Sequence, residues 1–336
     1  MTSRPVLPEQ IAAISYEIAD NLEPDMARAF LAVIQAVADA MPLARLELLL
    51  EAGDITGIMI EFESILSSVL TGTTVVEDFV DVHRQVFTAS LQTALLSATA
   101  VPVFDSVLVS TMVRIEQHAS SLILGGVSRD MTESIGVLLR SGLHGGLGAE
   151  AMARLIRTGL PLIPRHELAV VRFIGALRDR GASVEEAMRH AEAYAGRLAT
   201  WRAQTIARTE VIHASMAAQV SLWRQMVKEG ILIDERTWME WMVTEDDALC
   251  EFCAPMDEQR VRVNDWFLST HKGFPNGKPK AESTLPKRKT PLRPDPRSVN
   301  IRKAVNTSLR VLPKSKRVLH PPLHPRCRCT LVLRFE

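Results

Sequence analysis

The four cysteines constrain this chain more than any other residues. All of them lie in the last 87 positions, as two tight pairs: Cys250-x-x-Cys253, and Cys327-x-Cys329 preceded by His324. Two thiolates three residues apart on a turn can reach one Zn²⁺, and a distant second knuckle can complete a tetrahedron and clamp the ends of the intervening loop. A redox CxxC requires a βα setting that Leu249-Cys250-Glu251-Phe252 does not supply, so a structural metal site is the preferred reading, over a redox pair or four unrelated thiols. Five candidate ligands, Cys250, Cys253, His324, Cys327 and Cys329, compete for four positions. The preferred set is Cys250, Cys253 and one of Cys327 or Cys329, with His324 as the remaining competitor. His320 is expected to pack beside Pro321-Pro322.

The loop so clamped is unusual. Ten of the 18 prolines fall between 275 and 325. Residues 257–336 hold 19 Lys+Arg against 6 Asp+Glu, so the neutral chain is a basic tail on an acidic body. Within 271–317 the candidate contacts for DNA or a partner are Lys287, Arg288, Lys289, Lys314, Lys316 and Arg317. Prolines keep such a segment extended, and extended cations suit a phosphate backbone read without base specificity. One short helix is expected near 299–309.

Upstream, the chain reads as helices. Aromatic residues make up only 5%, and Ala, Leu, Val and Met carry the apolar load. Phe30, Val33, Ile34 and Val37 form one helical stripe; Val76, Phe79, Val80 and Val86, then Val107, Met112, Ile115 and Leu122, continue the pattern. Pro24 and Pro42 are read as helix starts. Gly125-Gly126 should break the run, and Gly142, Gly145, Gly146 and Gly148 mark a turn before a short helix at 149–158. Ser183-Val184-Glu185-Glu186 has the form of a capping box, and no proline intervenes before Gly230. That predicts one long helix, or two kinked near Gly196. Beyond Gly230, alternation at Thr237, Met239, Trp241 and Val243 predicts a strand, as do 260–263 and 330–335.

The fold expected is therefore a mainly α N-terminal region followed by a small α+β, zinc-stabilised C-terminal domain with a few short strands. The divisions are 1–128, 129–230 and 231–336, the last with a basic insertion at 271–317. No uninterrupted apolar run approaches the roughly 18 residues of a membrane span, and Met1–Pro5 does not read as a signal peptide, so synthesis in the cytoplasm is expected. Enzyme signatures are scarce. Gly273–Lys278 is one residue short of a P-loop, Glu245-Asp246-Asp247 reads as a solvated turn, and neither G-x-S-x-G nor H-E-x-x-H occurs.

Several of these pieces occur together in one known family. Arg202-Ala203-Gln204-Thr205-Ile206-Ala207-Arg208-Thr209-Glu210 resembles the RAxxIARTE helix of the phage Mu protein F-like minor head, or head morphogenesis, proteins. The tryptophan-bearing strand at 238–241, the acidic turn running into Cys250 and Cys253, and the closing Pro321-Pro322-Leu323-His324-Pro325-Arg326-Cys327-Arg328-Cys329 follow in the family's order. The resemblance covers residues ~165–336. It departs at Met256-Asp257-Glu258, where Glu stands in the position of a common Gly, and in the length of the basic insertion.

The resemblance implies a non-enzymatic virion protein, made in the host cytoplasm and held inside the phage head at or near the portal. Its partners would be the portal, the major capsid or scaffolding protein and packaged duplex DNA, with no stable membrane insertion, and it would act in morphogenesis and in DNA packaging or ejection. The rival readings are a toxin- or transferase-like enzyme carried on a phage head domain, and a zinc-binding DNA-binding module. In the RTE helix, Arg208 and Glu210 are two apart and cannot face each other, so Arg208 is expected to pair with another element.

Overall fold

The computed structural model describes residues 7–72, 74–96, 106–144, 147–244, 253–270, 315–323 and 325–335. Nine α-helices come first among them: α1 (Pro8–Ala40), α2 (Leu43–Glu51), α3 (Ile55–Gly72), α4 (Val75–Leu95), α5 (Ser106–Ser121), α6 (Ser128–His144), α7 (Ala149–Gly159), α8 (Pro164–Arg178) and α9 (Val184–Lys228). Five strands follow: β1 (Thr237–Met242), β2 (Arg260–Arg262), β3 (Phe267–Thr270), β4 (Ser315–Val318) and β5 (Thr330–Phe335). A helical body leading into a small α+β part is the expected class. The chain divides into two compact units, one formed by 20–86 and 112–211, the other by 1–19, 87–111 and 212–336.

The first unit is all helix. The stripe Phe30, Val33, Ile34 and Val37 is buried to within 2% of full burial. α6 packs on α7, α8 and α3, and α2 packs on α7. α3 has a mean hydropathy of 1.3 over 18 residues, enough in length and composition to cross a bilayer. Its Ile58, Phe62, Leu66 and Val69 lie in the protein interior. Pro42 directly precedes α2, as expected, but Pro24 lies inside α1, which continues through it. A ring at that position removes one backbone N–H and disfavours an α conformation in the residue before it; the apolar stripe on either side outweighs that. The Gly125-Gly126 break is also not a break: Leu122–Val127 is a π-helical segment joining α5 to α6, with Ile123 and Val127 buried. One extra residue per turn re-aims the apolar face without leaving the helix.

α9 is one helix of 45 residues with no interruption at Gly196. The Glu186 N–H donates to Ser183 Oγ at 3.2 Å, the cap that the sequence predicted. At the other end Gly230 takes φ +73° and the Ile231 N–H returns to the Met226 carbonyl at 2.9 Å. This is the left-handed stop that glycine makes inexpensive.

The second unit holds both sheets. β1 is central and antiparallel to both neighbours, in the order β2-β1-β5. Thr237, Met239 and Trp241 are buried along one face, as their alternation required. Glu240, on the other face, is also buried. It accepts from Arg260 Nε at 2.5 Å and from Arg334 Nη2 at 2.8 Å, and Arg334 reaches Glu9 at 3.0 Å. Burial alone would raise its pKa, but these guanidiniums hold it below the usual carboxylate value. Arg262 lies 3.5 Å from the ring centroid of Trp238, its partner across the strands.

β3 and β4 form a second, two-stranded sheet in the register Phe267↔Val318 to Thr270↔Ser315. The basic excursion therefore begins and ends on a paired ladder, and residues 315–317, read from sequence as part of the excursion, belong to β4. The expected helix at 299–309 lies outside the described residues.

Candidate metal centre

Two turns bring thiols together. After β1, a short 3₁₀ turn at Ala254–Met256 follows Cys253 and leads into β2. Asp257 Oδ1 accepts the Val243 N–H at 3.1 Å, and the Glu258 N–H donates to the Trp241 carbonyl at 2.9 Å. These bonds hold the turn to β1. Glu258 has φ +58°, so the residue standing in the family's Gly position adopts the conformation that Gly would. Before β5, Arg326 also turns left-handed, at φ +62°, and aims Cys327 inward ahead of Cys329.

Cys253, Cys327 and Cys329 are all buried, and their sulfurs lie within 4.8 Å of one another. Cys253 Sγ and Cys327 Sγ are 3.7 Å apart. A disulfide requires about 2.05 Å. A tetrahedral Zn²⁺ with Zn–S bonds of about 2.3 Å separates its sulfurs by roughly 3.7–3.8 Å. The bond with Cys253 favours the Cys329 thiolate, but the bond with Cys327 and burial outweigh it and push the thiol well up. Three neutral thiols packed this way gain little, whereas a cation converts them to thiolates and satisfies all three.

The surroundings agree. The indole N–H of Trp241 is directed at Cys329, favouring its thiolate, yet it is buried without a regular hydrogen bond. A metal-bound thiolate is the acceptor such a donor lacks. Phe267 stacks edge-on against Trp241 with centroids 5.2 Å apart, so the first residue of β3 is tied to the same knot.

Tyr16 of α1 was not foreseen here. Its hydroxyl bonds the Thr244 side chain, Thr244 Oγ1 donates to the Arg328 carbonyl at 2.7 Å, and burial raises the phenol to about 12. Nothing in the local sequence of α1 signals this; only its amphipathic spacing puts Tyr16 on an inward face. The buried cysteine cluster can hold a metal ion. Cys250 and His324, the other two candidates, lie outside the described residues. So do Lys287, Arg288, Lys289 and Lys314, while Lys316 and Arg317 are placed by their backbone in β4. His320 is near Pro321, as expected, its Nδ1 2.5 Å from the Pro321 carbonyl; burial lowers its pKa and its ring lies 5.5 Å from that of His213.

The RTE helix performs a different task. Arg202 donates to the carbonyls of Pro161 and Leu162 at 2.9 and 3.0 Å and to Asp130 at 2.6 Å. Arg208 reaches Asp20 at 2.8 Å and Glu23 at 3.2 Å, both on α1. Glu210 Oε2 meets His118 Nε2 at 2.9 Å and His83 Nε2 at 3.5 Å. The bond to Glu210 raises the His118 pKa. Arg208 does pair across to another element.

The family model described as Phage Mu protein F like protein matches residues 133–332, more than half of the chain. The chain belongs to the phage Mu protein F-like family. The match spans the RTE helix, β1 to β4, the first half of β5 and every cysteine, and it begins upstream of the stretch carrying the recognisable motifs. No curated protein and no solved structure matches the chain significantly. The family is one of structural phage head proteins, which points to a virion-associated protein of head morphogenesis and agrees with a non-enzymatic role.

Proposed function

We propose that this chain is a minor head protein of a tailed phage, bound at or near the portal inside the head and acting in head assembly, DNA packaging and ejection. The observation that carries the reading is the family match across 133–332 with a buried three-thiol cluster inside it. The cluster would hold one structural Zn²⁺, its fourth ligand drawn from Cys250 or His324, clamping the turn after β1 to the entry of β5. Multiple thiolate ligands suit a closed, structural site. The basic segment from Lys278 to Arg317 would lie along duplex DNA through phosphates, which supports a packaging or ejection role. The portal and the capsid or scaffolding protein would be its protein partners.

Mass-spectrometric inventory of purified virions tests the placement: the chain at low copy number, retained with the portal when heads are opened, is expected; absence from virions overturns it. Elemental analysis of protein purified without chelator should give about one zinc per chain, since four of the five candidate ligands make one tetrahedral site. No zinc with freely titratable thiols refutes the metal. Deleting 278–314, which leaves β4 in place, should abolish duplex binding at ~50 mM salt, where phosphate contacts are strongest.

A further inference from the structure

The helical unit gathers imidazoles around one buried carboxylate. Glu210 Oε2 of α9 faces two rings, His118 Nε2 of α5 at 2.9 Å and His83 Nε2 of α4 at 3.5 Å. His213 is three residues on along the same unbroken helix, so helix geometry alone sets it beside Glu210. The ligand atoms of His118, Glu210 and His213 lie within 4.8 Å of one another. Glu210-Val211-Ile212-His213 also has the Glu-x-x-His spacing that projects a carboxylate and an imidazole together into the core of a helix bundle.

His83 is the informative residue. It is fully buried, and its Nδ1 lies 2.9 Å from the Phe79 carbonyl oxygen. A carbonyl only accepts, so that nitrogen carries the ring proton. In the neutral ring Nε2 is then a lone pair, and it is aimed at Glu210 Oε2. Two acceptors face each other away from water, which is costly unless something positive stands between them. Either the ring takes a second proton or a metal ion fills that role. Burial opposes the second proton, and Glu210 already shares its charge with His118. A ring that donates Nδ1–H to a backbone carbonyl is held in the tautomer and orientation of a metal-binding histidine.

The distances suit an ion. A tetrahedral Zn²⁺ with bonds of about 2.0–2.1 Å keeps its nitrogen and oxygen ligands roughly 3.3–3.4 Å apart. The separations of 2.9 and 3.5 Å at Glu210 Oε2 lie on either side of that value. The His118 side chain is 43% exposed, against 9% for Glu210, so the cluster is reached from solvent at His118.

We propose that His118, Glu210 and His213 bind one first-row divalent metal ion, with His83 completing the set through Nε2. Three imidazole nitrogens and one carboxylate oxygen suit Zn²⁺ better than Mg²⁺ or Ca²⁺. Four protein ligands make a closed site, so the ion is structural and ties α9 to α4 and α5 at the RTE motif. In the metal-free chain Glu210 holds the proton of His118 instead. The site shares no residue with the cysteine cluster and stands whether or not that cluster takes zinc.

The test uses the full chain, stripped with chelator and titrated with Co²⁺. Visible bands report any bound Co²⁺, whereas the near-ultraviolet charge-transfer band appears only with thiolate ligands. One equivalent should bind with a Kd of about 1 μM or tighter and add visible absorption without the thiolate band. His118→Ala, at a half-exposed position, should keep the circular dichroism of the parent. It should weaken that equivalent by about 100-fold or more, because even a partner outside the ligand set is worth about 10–100-fold. An equivalent with the thiolate band should be untouched. In the parent chain, Zn²⁺ should displace the Co²⁺ and shift the ring nitrogen resonances of both His118 and His83. Co²⁺ that binds only with a thiolate band, binding unaffected by His118→Ala, or ring resonances unmoved by saturating Zn²⁺ overturns the inference. So does a proton on His83 Nε2 in the Zn²⁺-saturated chain, which would make that proton the occupant.

Discussion

Glu167 stands in the first turn of α8 with only 2% of its surface exposed, and its Oε2 has no hydrogen-bond partner. A Cβ placed on Gly159 would lie 2.1 Å from its Oε1, so the carboxyl is pressed against the backbone at the end of α7. Burial raises its pKa from 4.5 to about 8. The sign follows from which state releases the proton first. Below pH 4.5 both the folded and the unfolded chain are protonated and Glu167 costs nothing. Above it the unfolded chain ionises while the folded one holds its proton, so stability falls as pH rises and levels off above about 8. At about 1.4 kcal/mol per unit, the loss is roughly 3 kcal/mol by pH 7 and about 5 in full. Glu167→Gln keeps the shape and removes the titration. Any cost of burying the amide without partners acts equally at every pH, so the quantity to compare is the difference between mutant and parent. Urea unfolding, read by hydrogen exchange in residues 147–211, should show the mutant gaining roughly 3 kcal/mol on the parent between pH 4.5 and pH 7. Curves that run parallel across that range would refute the burial of a neutral acid.

Glu258→Gly should stabilise the chain by about 0.5–1 kcal/mol in thermal or urea unfolding, because it relieves a left-handed non-glycine residue at the cost of some chain entropy. Arg202→Met should destabilise the helical unit by about 2–4 kcal/mol, since it strands the carbonyl of Pro161 and one side of Asp130, while Leu162 keeps only its bond from Ser134. An NMR titration should place His118 above its ordinary midpoint. The stabilisation from its pair with Glu210 is then full below the unfolded pKa and lost as pH rises through the folded one, and Glu210→Gln should return the midpoint toward normal. Cys327→Ser should abolish metal binding at the thiols and expose β1, β2 and β5 to proteolysis while α2, α3 and α6 to α8 stay protected.

What the sequence revealed was local. A stripe at i, i+3, i+4 and i+7 is enough to place Phe30 to Val37 in a core, Ser183 and Gly230 bracket α9, and period-two alternation finds β1 and β5. Cysteine spacing points to Cys253 meeting Cys327 and Cys329 across more than seventy residues, because a single metal site would need both knuckles, and the three thiols do come together. The rest depended on neighbours that are distant in sequence. The β3–β4 ladder pairs strands on either side of the basic excursion, and neither strand alternates strongly enough to announce itself. Glu240 reads as the solvent side of an alternating strand, yet two arginines from flanking strands let it be buried. Nothing in the sequence around Pro164 marks His166 and Glu167 as interior; only the packing around α8 buries them. Pro24 reads as a helix start by the rule that usually holds; its exception was set by the core stripe on either side of it.

The RTE motif is best understood through these same tertiary partners. At about 100° per residue, Arg202, Arg208 and Glu210 project from different sides of α9. Each reaches a different part of the helical unit: Arg202 the turn after α7 and Asp130 of α6, Arg208 the acids of α1, Glu210 the imidazoles on α4 and α5. Ala203 and Ala207 between them are buried, which lets neighbouring helices come close. Apolar packing on a helix surrounded in this way tolerates rotation and sliding, because many registers bury similar area. Three charges whose partners stand on fixed elements do not, since a slip of one residue would leave each of them buried and unpaired at about 3–5 kcal/mol apiece. The motif thus sets the register of α9. Its spacing is that of three separate anchors and not of an acid–base pair, and the helix it fixes is the one that leads, through Gly230, into β1 and the thiols.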